Sequence, residues 1–386
     1  LGVLLCLACM VMPGTLAWIV FGRYEDAPMA LPVAIMTLGI ALHGVAYGYL
    51  RGMRSMVIAN LLQLFVLGVS PCVAFLACSD LTQVLWATGV SWTVAPLLTI
   101  APALLARRTG SSRRERAELL RYGLPRVPGD IALGALLTVP GYVVLRTQGI
   151  DASGEMGFGT TLLNIAAAVF SPVALLLLPS ASAQLAGGDH ARLARRIERM
   201  VWIVLGISAA MTIGYELLAD PLLRAYLGEK GMEYVATSRL VFLAALPFGF
   251  FNGMRSVLDA YYQTPRNGVN LVVASIILLL GSALHLAVPT PWYTMGVVLI
   301  IALGYLGLAT YRDVRYVRTE LERLAAHGTA RLKVLVVIPD VENGETYRDS
   351  KAQAAAFVHH GAEVVVFHLE DRTSPFALWR SRRHLK

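Results

Sequence analysis

Twenty-nine arginines against four lysines (Lys230, Lys333, Lys351 and Lys386) supply the positive charge of this chain. A guanidinium stays charged and grips phosphate through two parallel N–H bonds, so the chain carries the chemistry for binding phosphate or diphosphate groups. A compositional bias of the genome would leave the same ratio. Four cysteines (Cys6, Cys9, Cys72 and Cys78) all lie in apolar runs. Cys6 and Cys9 have C-x-x-C spacing, but no His or second Cys pair follows nearby, so they read as small apolar residues rather than metal or redox groups. No cofactor or metal is expected. Other polar candidates are isolated: His43 and Asn164 inside apolar segments, and Asp130 at the start of one. Polar groups at such depth usually face a bundle interior. His43 suits either a proton-coupling group or a satisfied core histidine, and Asp130 also suits a helix N-terminus.

The elements that must position these residues are long apolar segments. The chain of 386 residues is 56% hydrophobic and 15% charged, with mean hydropathy +0.61. A soluble domain holds about 25% charged residues, so the composition excludes an ordinary cytosolic enzyme, a disordered chain and a disulfide scaffold. Ten segments approach the spanning length of about 20 residues: 1–21, 29–50, 56–78, 82–105, 128–147, 157–180, 200–219, 240–258, 268–288 and 291–311, of which 240–258 is the weakest. Prolines 13, 32, 71, 96, 140, 172 and 247 fall inside spans and should kink them. Gly44, Gly48 and Gly52 share a helix face that would allow close packing.

Connecting charges alternate. Fifteen arginines lie on one side, at 51, 54, 107, 108, 113, 114, 116, 121, 126, 192, 195, 196, 199, 255 and 266, against five cations on the other, Arg23, Arg146, Arg224, Lys230 and Arg239. The positive-inside rule makes the first side cytoplasmic, along with the tail after Tyr311. Trp86, Trp202, Trp292 and Tyr293 sit at expected interfaces, while Arg146 and His285 near the outer ends should snorkel.

Arg51-Gly52-Met53-Arg54-Ser55 and Asn252-Gly253-Met254-Arg255-Ser256 match at four positions, each at a cytoplasmic helix end. A duplicated bundle explains the match. Its register implies two further spans before Leu1, which begins inside an apolar run; the chain is expected to be an internal piece of a longer one. The expected fold class is an all-α polytopic membrane protein, about ten visible spans of a twelve-span, two-half bundle, followed by a short α/β Rossmann-like βαβ fragment. The expected divisions are 1–105 (four spans of the first half), 106–127 (basic loop), 128–311 (six-span second half), 312–330 (linker helix) and 331–386 (α/β fragment). In that fragment Lys333–Pro339 and Glu363–His368 read as buried parallel strands around a helix, Ser350 to His360.

Leu119-Leu120-Arg121-Tyr122-Gly123-Leu124-Pro125-Arg126-Val127-Pro128-Gly129-Asp130 resembles the approach to the seventh helix of polysaccharide and lipid-linked oligosaccharide flippases of the multidrug/oligosaccharidyl-lipid/polysaccharide exporter superfamily. Pro179-x-x-Ser182, Gly188-Asp189 and Arg192 resemble the end of their eighth helix. The resemblance implies a bacterial inner-membrane transporter that moves a polyprenyl-diphosphate-linked sugar repeat to the outer leaflet by alternating access. A cationic cavity mouth would then use Arg54, Arg255, Arg121 and Arg126, with His43 and Asn164 as substrate contacts and Asp130 or His43 as coupling groups. Orientation alone also explains arginines at these borders. The implied partners are the lipid-linked oligosaccharide diphosphate, membrane lipids and other polysaccharide-assembly proteins, with no nucleic acid. Residues 331–386 resemble the opening of a GT-B, GT4-like glycosyltransferase, although Asp340-Val341-Glu342-Asn343-Gly344-Glu345 stands where those enzymes carry a Gly-Gly pair. Its nucleotide-sugar half would lie beyond Lys386, so this stretch transfers no sugar alone. The alternatives are a membrane-anchored glycosyltransferase or polymerase, a multidrug exporter of the same superfamily, whose need for buried intramembrane acids only Asp130 meets, and an envelope scaffold.

Overall fold

A computed structural model describes residues 2–53, 55–105, 117, 120–121, 123–170, 181, 184–185, 187–262, 264–288, 291, 293–326, 333–339 and 363–369. The chain forms two compact units, Leu1–Leu124 and Pro125–Lys386.

The first unit is helical among its described residues: α1 (Gly2–Val11), α2 (Pro13–Phe21), α3 (Ala27–Gly52), α4 (Met56–Leu64), α5 (Ser70–Ala77) and α6 (Leu81–Leu105). Prolines set its irregularities. Pro13 separates α1 from α2, so the expected span 1–21 is two short helices. Pro71 lacks the N–H that would bond back to Leu67, and the widened π-helical turn Phe65–Val69 precedes it. Pro32, Pro96 and Pro102 lie within otherwise continuous helices. Close packing joins α3 to α6. A Cβ on Gly39 would stand 2.8 Å from Trp92, and one on Gly89 3.1 Å from the Pro32 carbonyl oxygen. Thr93 Oγ1 donates to the Gly89 carbonyl at 2.9 Å and lies 3.3 Å from that of Ile35 on α3, and Ser70 and Ser91 share a hydrogen bond. The expected stripe Gly44, Gly48 and Gly52 does not serve this purpose: a Cβ at any of the three meets open space.

The second unit contains α7 (Val127–Gln148), α8 (Ile150–Ala168), α9 (His190–Leu227), α10 (Val235–Phe242), α11 (Ala245–Tyr261), α12 (Arg266–Ala287) and α13 (Thr294–Ala326). Gly149, at φ 97°, turns the chain directly from α7 into α8, a conformation that costs a side-chain-bearing residue energy. The weakest span is bent by 51° between α10 and α11. Pro247 explains the bend, because it lacks the N–H for the Leu243 carbonyl and its ring crowds that carbonyl. Helices α9 and α13 outrun the expected 200–219 and 291–311. Of the residues expected as a linker helix, 312–330, residues 312–326 continue α13, and 327–330 lie outside the described residues. Leu193, Ala194 and Ile197 of α9 share a buried cluster with Val314, Val317 and Leu321 of α13, which extends both helices beyond the apolar layer. Arg318 bridges them by pairing with Glu198 at 3.1 Å.

Among the described residues, seven helices are long and apolar enough to cross a membrane, or eight if the bent pair is one span. Of the other expected spans, the first is broken at Met12. The sixth, 157–180, begins earlier, at Ile150, carries Asp151, Glu155 and Asn164, and runs into residues 171–180 outside the described set.

At the Arg-rich end of the second unit a polar clamp ties α11, α12 and α13. Asp313 is 4% exposed. Its carboxylate accepts from Asn270 Nδ2 at 2.9 Å and Arg266 Nε at 3.2 Å. Asn267 Nδ2 donates to the Asp259 carboxylate at 2.9 Å and to the Arg255 carbonyl at 2.8 Å. Gly129 of α7 meets Gly268 of α12 backbone to backbone, since a Cβ on Gly129 would lie 2.6 Å from the Gly268 Cα.

Beyond the helices, Lys333–Pro339 (β1) and Glu363–Leu369 (β2) pair in parallel, Lys333 opposite Glu363 through Pro339 opposite Leu369. The strand bounds match the sequence reading to within one residue. Two parallel strands occur in many α/β folds and do not specify a Rossmann half; the expected helix at 350–360 and the loop at 340–345 lie outside the described residues.

Two outcomes follow for the purified chain in detergent. Gly129→Ala should destabilise the second unit by about 1–3 kcal/mol through overpacking against backbone. Gly134→Ala, on the same helix with open space around its Cβ, should be neutral or slightly stabilising. Thermal unfolding of both variants checks this. Arg266→Ala should approach the lower end of the roughly 3–5 kcal/mol cost of orphaning a buried ion-pair partner, because Arg266 is 44% exposed but Asp313 is left as an uncompensated buried charge. Combining it with Asp313→Asn should recover part of that loss in a double-mutant cycle.

Candidate functional site

Four helices of the second unit end around an open cavity of about 270 Å³. Val144 and Gln148 come from α7, Ala152, Glu155 and Met156 from α8, Ala236, Thr237 and Leu240 from α10, and Tyr293 and Gly296 from the start of α13. The Gly149 turn places the last turn of α7 beside the first turns of α8. Gly296 lets α13 close on α10, where any Cβ would lie 2.5 Å from Leu240 Cδ2. The walls are mainly apolar, and among the described residues Glu155 is their one carboxylate. Thr237 Oγ1 donates to Glu155 Oε2 at 2.6 Å, which fixes the carboxylate against α10. Such a chamber attracts a cation or a hydrogen-bond donor. It is slightly smaller than the roughly 300–1,000 Å³ typical of drug-sized ligands.

A second polar layer lies on the other side of α10. One residue after Thr237, Ser238 turns about 100° around the helix and meets α9. Its hydroxyl accepts from Tyr215 Oη at 2.8 Å and itself lies 3.1 Å from the Val235 carbonyl. Arg239 Nη2 then pairs with Asp220 Oδ1 at 3.1 Å. Glu216, one turn before Asp220, keeps a buried oxygen, Oε1, without a hydrogen-bond partner among the described residues. The triplet Thr237-Ser238-Arg239 therefore ties α8 and α9 to the same helix through consecutive side chains.

The residues expected from sequence do not gather here. None of those among the described residues lines the cavity. Arg54 lies outside the described residues. Arg121 and Arg255 are exposed and Arg126 is half-buried; Arg255 lies inside α11 rather than at the helix end expected for it, and its backbone carbonyl joins the α12 clamp. Asn164 is exposed rather than turned into the interior of its unit. Asp130 is exposed in the first turn of α7, so the buried acid expected there is found instead at Asp313, with Glu155 and Glu216 half-buried. His43 is 9% exposed in the first unit and stacks on Tyr47 at 5.9 Å between ring centres, while its Nε2 has no partner among the described residues. The two residues expected to snorkel divide: Arg146 folds back onto Tyr142, 3.0 Å from the phenol oxygen, whereas His285 is buried with Nε2 3.2 Å from Thr147 Oγ1. Two signals marked the overlooked groups: Glu216 and Asp220 are four apart on one helix face inside an apolar run, and three polar residues are consecutive at 237–239.

The sequence matches no protein-family model and no curated protein. Solved structures do match. An inward-facing multidrug resistance MATE family transporter of the MOP superfamily aligns over 85% of this chain and 79% of its own, with TM-score 0.66 and 16% identity. An outward-facing structure of such a transporter aligns over 83% and 78%, with TM-score 0.58 and 13% identity. A MATE protein in its bent conformation aligns over 84% and 77%, with TM-score 0.58 and 16% identity. At such identities the likeness concerns architecture alone: this chain is a multi-pass membrane protein with the fold of the MATE transporters of the MOP superfamily.

Proposed function

We propose that the chain is a membrane transporter working by alternating access of two helical halves, and that its substrate is a polyprenyl-diphosphate-linked oligosaccharide carried from the Arg-rich face to the opposite leaflet. The observation that carries the transporter reading is the MATE-type architecture extending over both units. The substrate reading rests on the flippase-like residues 119–130 and 179–192 and on the arginines at the borders of both units. A diphosphate needs cations that stay charged away from bulk water, and arginine meets that need bidentately. Arg54, Arg255, Arg121 and Arg126 are the groups to receive it. A sugar headgroup exceeds the Glu155 cavity, which in this reading is a coupling or hinge element. The further reading, that the tail belongs to an attached glycosyltransferase, rests on the sequence resemblance of residues 331–386 alone. A membrane anchor for such an enzyme would not require two units of this architecture.

The Glu155 cavity favours a second reading, a multidrug exporter of organic cations. One set of vesicles separates the two. Purified chain should move fluorescent polyprenyl-diphosphate sugar across the bilayer, and Arg54→Ala with Arg255→Ala should slow it by tenfold or more, about the loss of one charge-assisted phosphate contact. Unchanged flipping in that double variant removes the arginines from the mechanism. Glu155→Gln should leave substrate binding intact under the first reading; if the chain instead expels ethidium and the same variant abolishes that, the second holds.

A further inference from the structure

We propose that the Arg-rich end of α9 is a binding surface for anionic phospholipid headgroups. The inference does not depend on which substrate is carried. Arg192, Arg195, Arg199 and Trp202 follow one another at intervals of three or four residues, and all four are exposed or half-exposed on the outer side of the helix. That spacing puts them in one line on the helix face opposite Leu193, Ala194 and Ile197, which are buried against the core. Trp202 is 69% exposed, and further exposed apolar residues, Ile203 and Ile207, continue beyond it.

The line thus passes from charge to an amphipathic ring to hydrocarbon, in the order a leaflet presents phosphate, interface and acyl chain. At about 1.5 Å per residue, Arg199 lies roughly 4.5 Å and Arg195 roughly 10 Å below Trp202 along the axis. A headgroup layer about 5–7 Å thick places Arg199 within it and Arg195 within side-chain reach of it.

None of the three guanidinium groups has an ion-pair partner among the described residues, and the acid between them, Glu198, is turned to Arg318 on α13 at 3.1 Å. Orientation in the membrane requires only that cations lie on this side. It does not require three of them to share one outward line with a tryptophan while the nearby acid is engaged elsewhere. The chemistry fits the phosphodiester of an anionic phospholipid, held by bidentate arginine contacts with the acyl chains beside Trp202.

Trp202 provides the readout. The whole chain is reconstituted in phosphatidylcholine vesicles containing either brominated phosphatidylglycerol or brominated phosphatidylcholine, and the Trp202 contribution to quenching is obtained by difference from Trp202→Phe. Brominated phosphatidylglycerol should quench Trp202 at lower mole fraction than brominated phosphatidylcholine. Changing Arg192, Arg195 and Arg199 to Gln should weaken that preference by about tenfold or more. Should that variant fail to fold, salt serves with the unaltered chain: at about 1 M, where the Debye length is about 3 Å, the preference should collapse. Equal quenching by the two lipids overturns the proposal, as does a preference indifferent to both salt and the arginines. Added glycerol phosphate should not displace the lipid; equal displacement would mean a site for free phosphate and would likewise overturn it.

Discussion

Hydrocarbon offers no partner for a backbone N–H or C=O, so every such group in a spanning segment must be satisfied inside the protein. Nearly every feature of this molecule answers that constraint. The spanning segments are helices because only helices close their own hydrogen bonds. Where proline removes an N–H, the helix breaks at Met12, widens at Phe65–Val69 or bends by 51° before Pro247. These departures mark where one helical segment can turn against the next, which is the form of motion that alternating access between halves would use.

The same constraint governs polar side chains. A carboxylate at membrane depth is tolerated when paired or hydrogen-bonded, and the second unit arranges its acids in two layers. Asp313 is saturated by Arg266 and Asn270 and holds α12 to α13. Toward the other end of the helices, Glu155 has one strong donor in Thr237 and faces an open cavity, and Glu216 keeps a buried oxygen without a partner among the described residues. The first layer is built as a fastening. The second retains hydrogen-bonding capacity, as an element that exchanges protons or ligands must.

Much of the architecture was legible before any fold was known. Apolar runs of spanning length are a one-dimensional signal, and most became helices within a few residues of their expected bounds. Pro13, Pro71 and Pro247 foretold three irregularities, because a missing N–H acts locally, whereas Pro32, Pro96 and Pro140 lie inside continuous helices. Strands β1 and β2 were equally visible as short β-branched runs. Errors arose where the answer depended on a neighbour. Gly44, Gly48 and Gly52 look like a packing stripe, yet Gly39 and Gly89 are where α3 meets α6. Asp130 looked like the intramembrane acid because it begins a span, but its first-turn position exposes it, whereas Asp313 lies at the edge of an apolar run and is buried because α12 brings Arg266 and Asn270 to it.

The sequence by itself determined that this is a polytopic helical membrane protein, which of its connecting segments are rich in arginine, and where three of its helices are interrupted. Those properties depend on composition, hydropathy and backbone chemistry along the chain. Only the tertiary structure decided which polar residues are used together. Glu155 and Thr237 are 82 residues apart, Arg266 and Asp313 are 47 apart, and their meeting depends on helix rotation and crossing. A rotation of one residue, about 100° on a helix, separates a side chain that lines a cavity from one that faces a neighbouring helix, as Thr237 and Ser238 do.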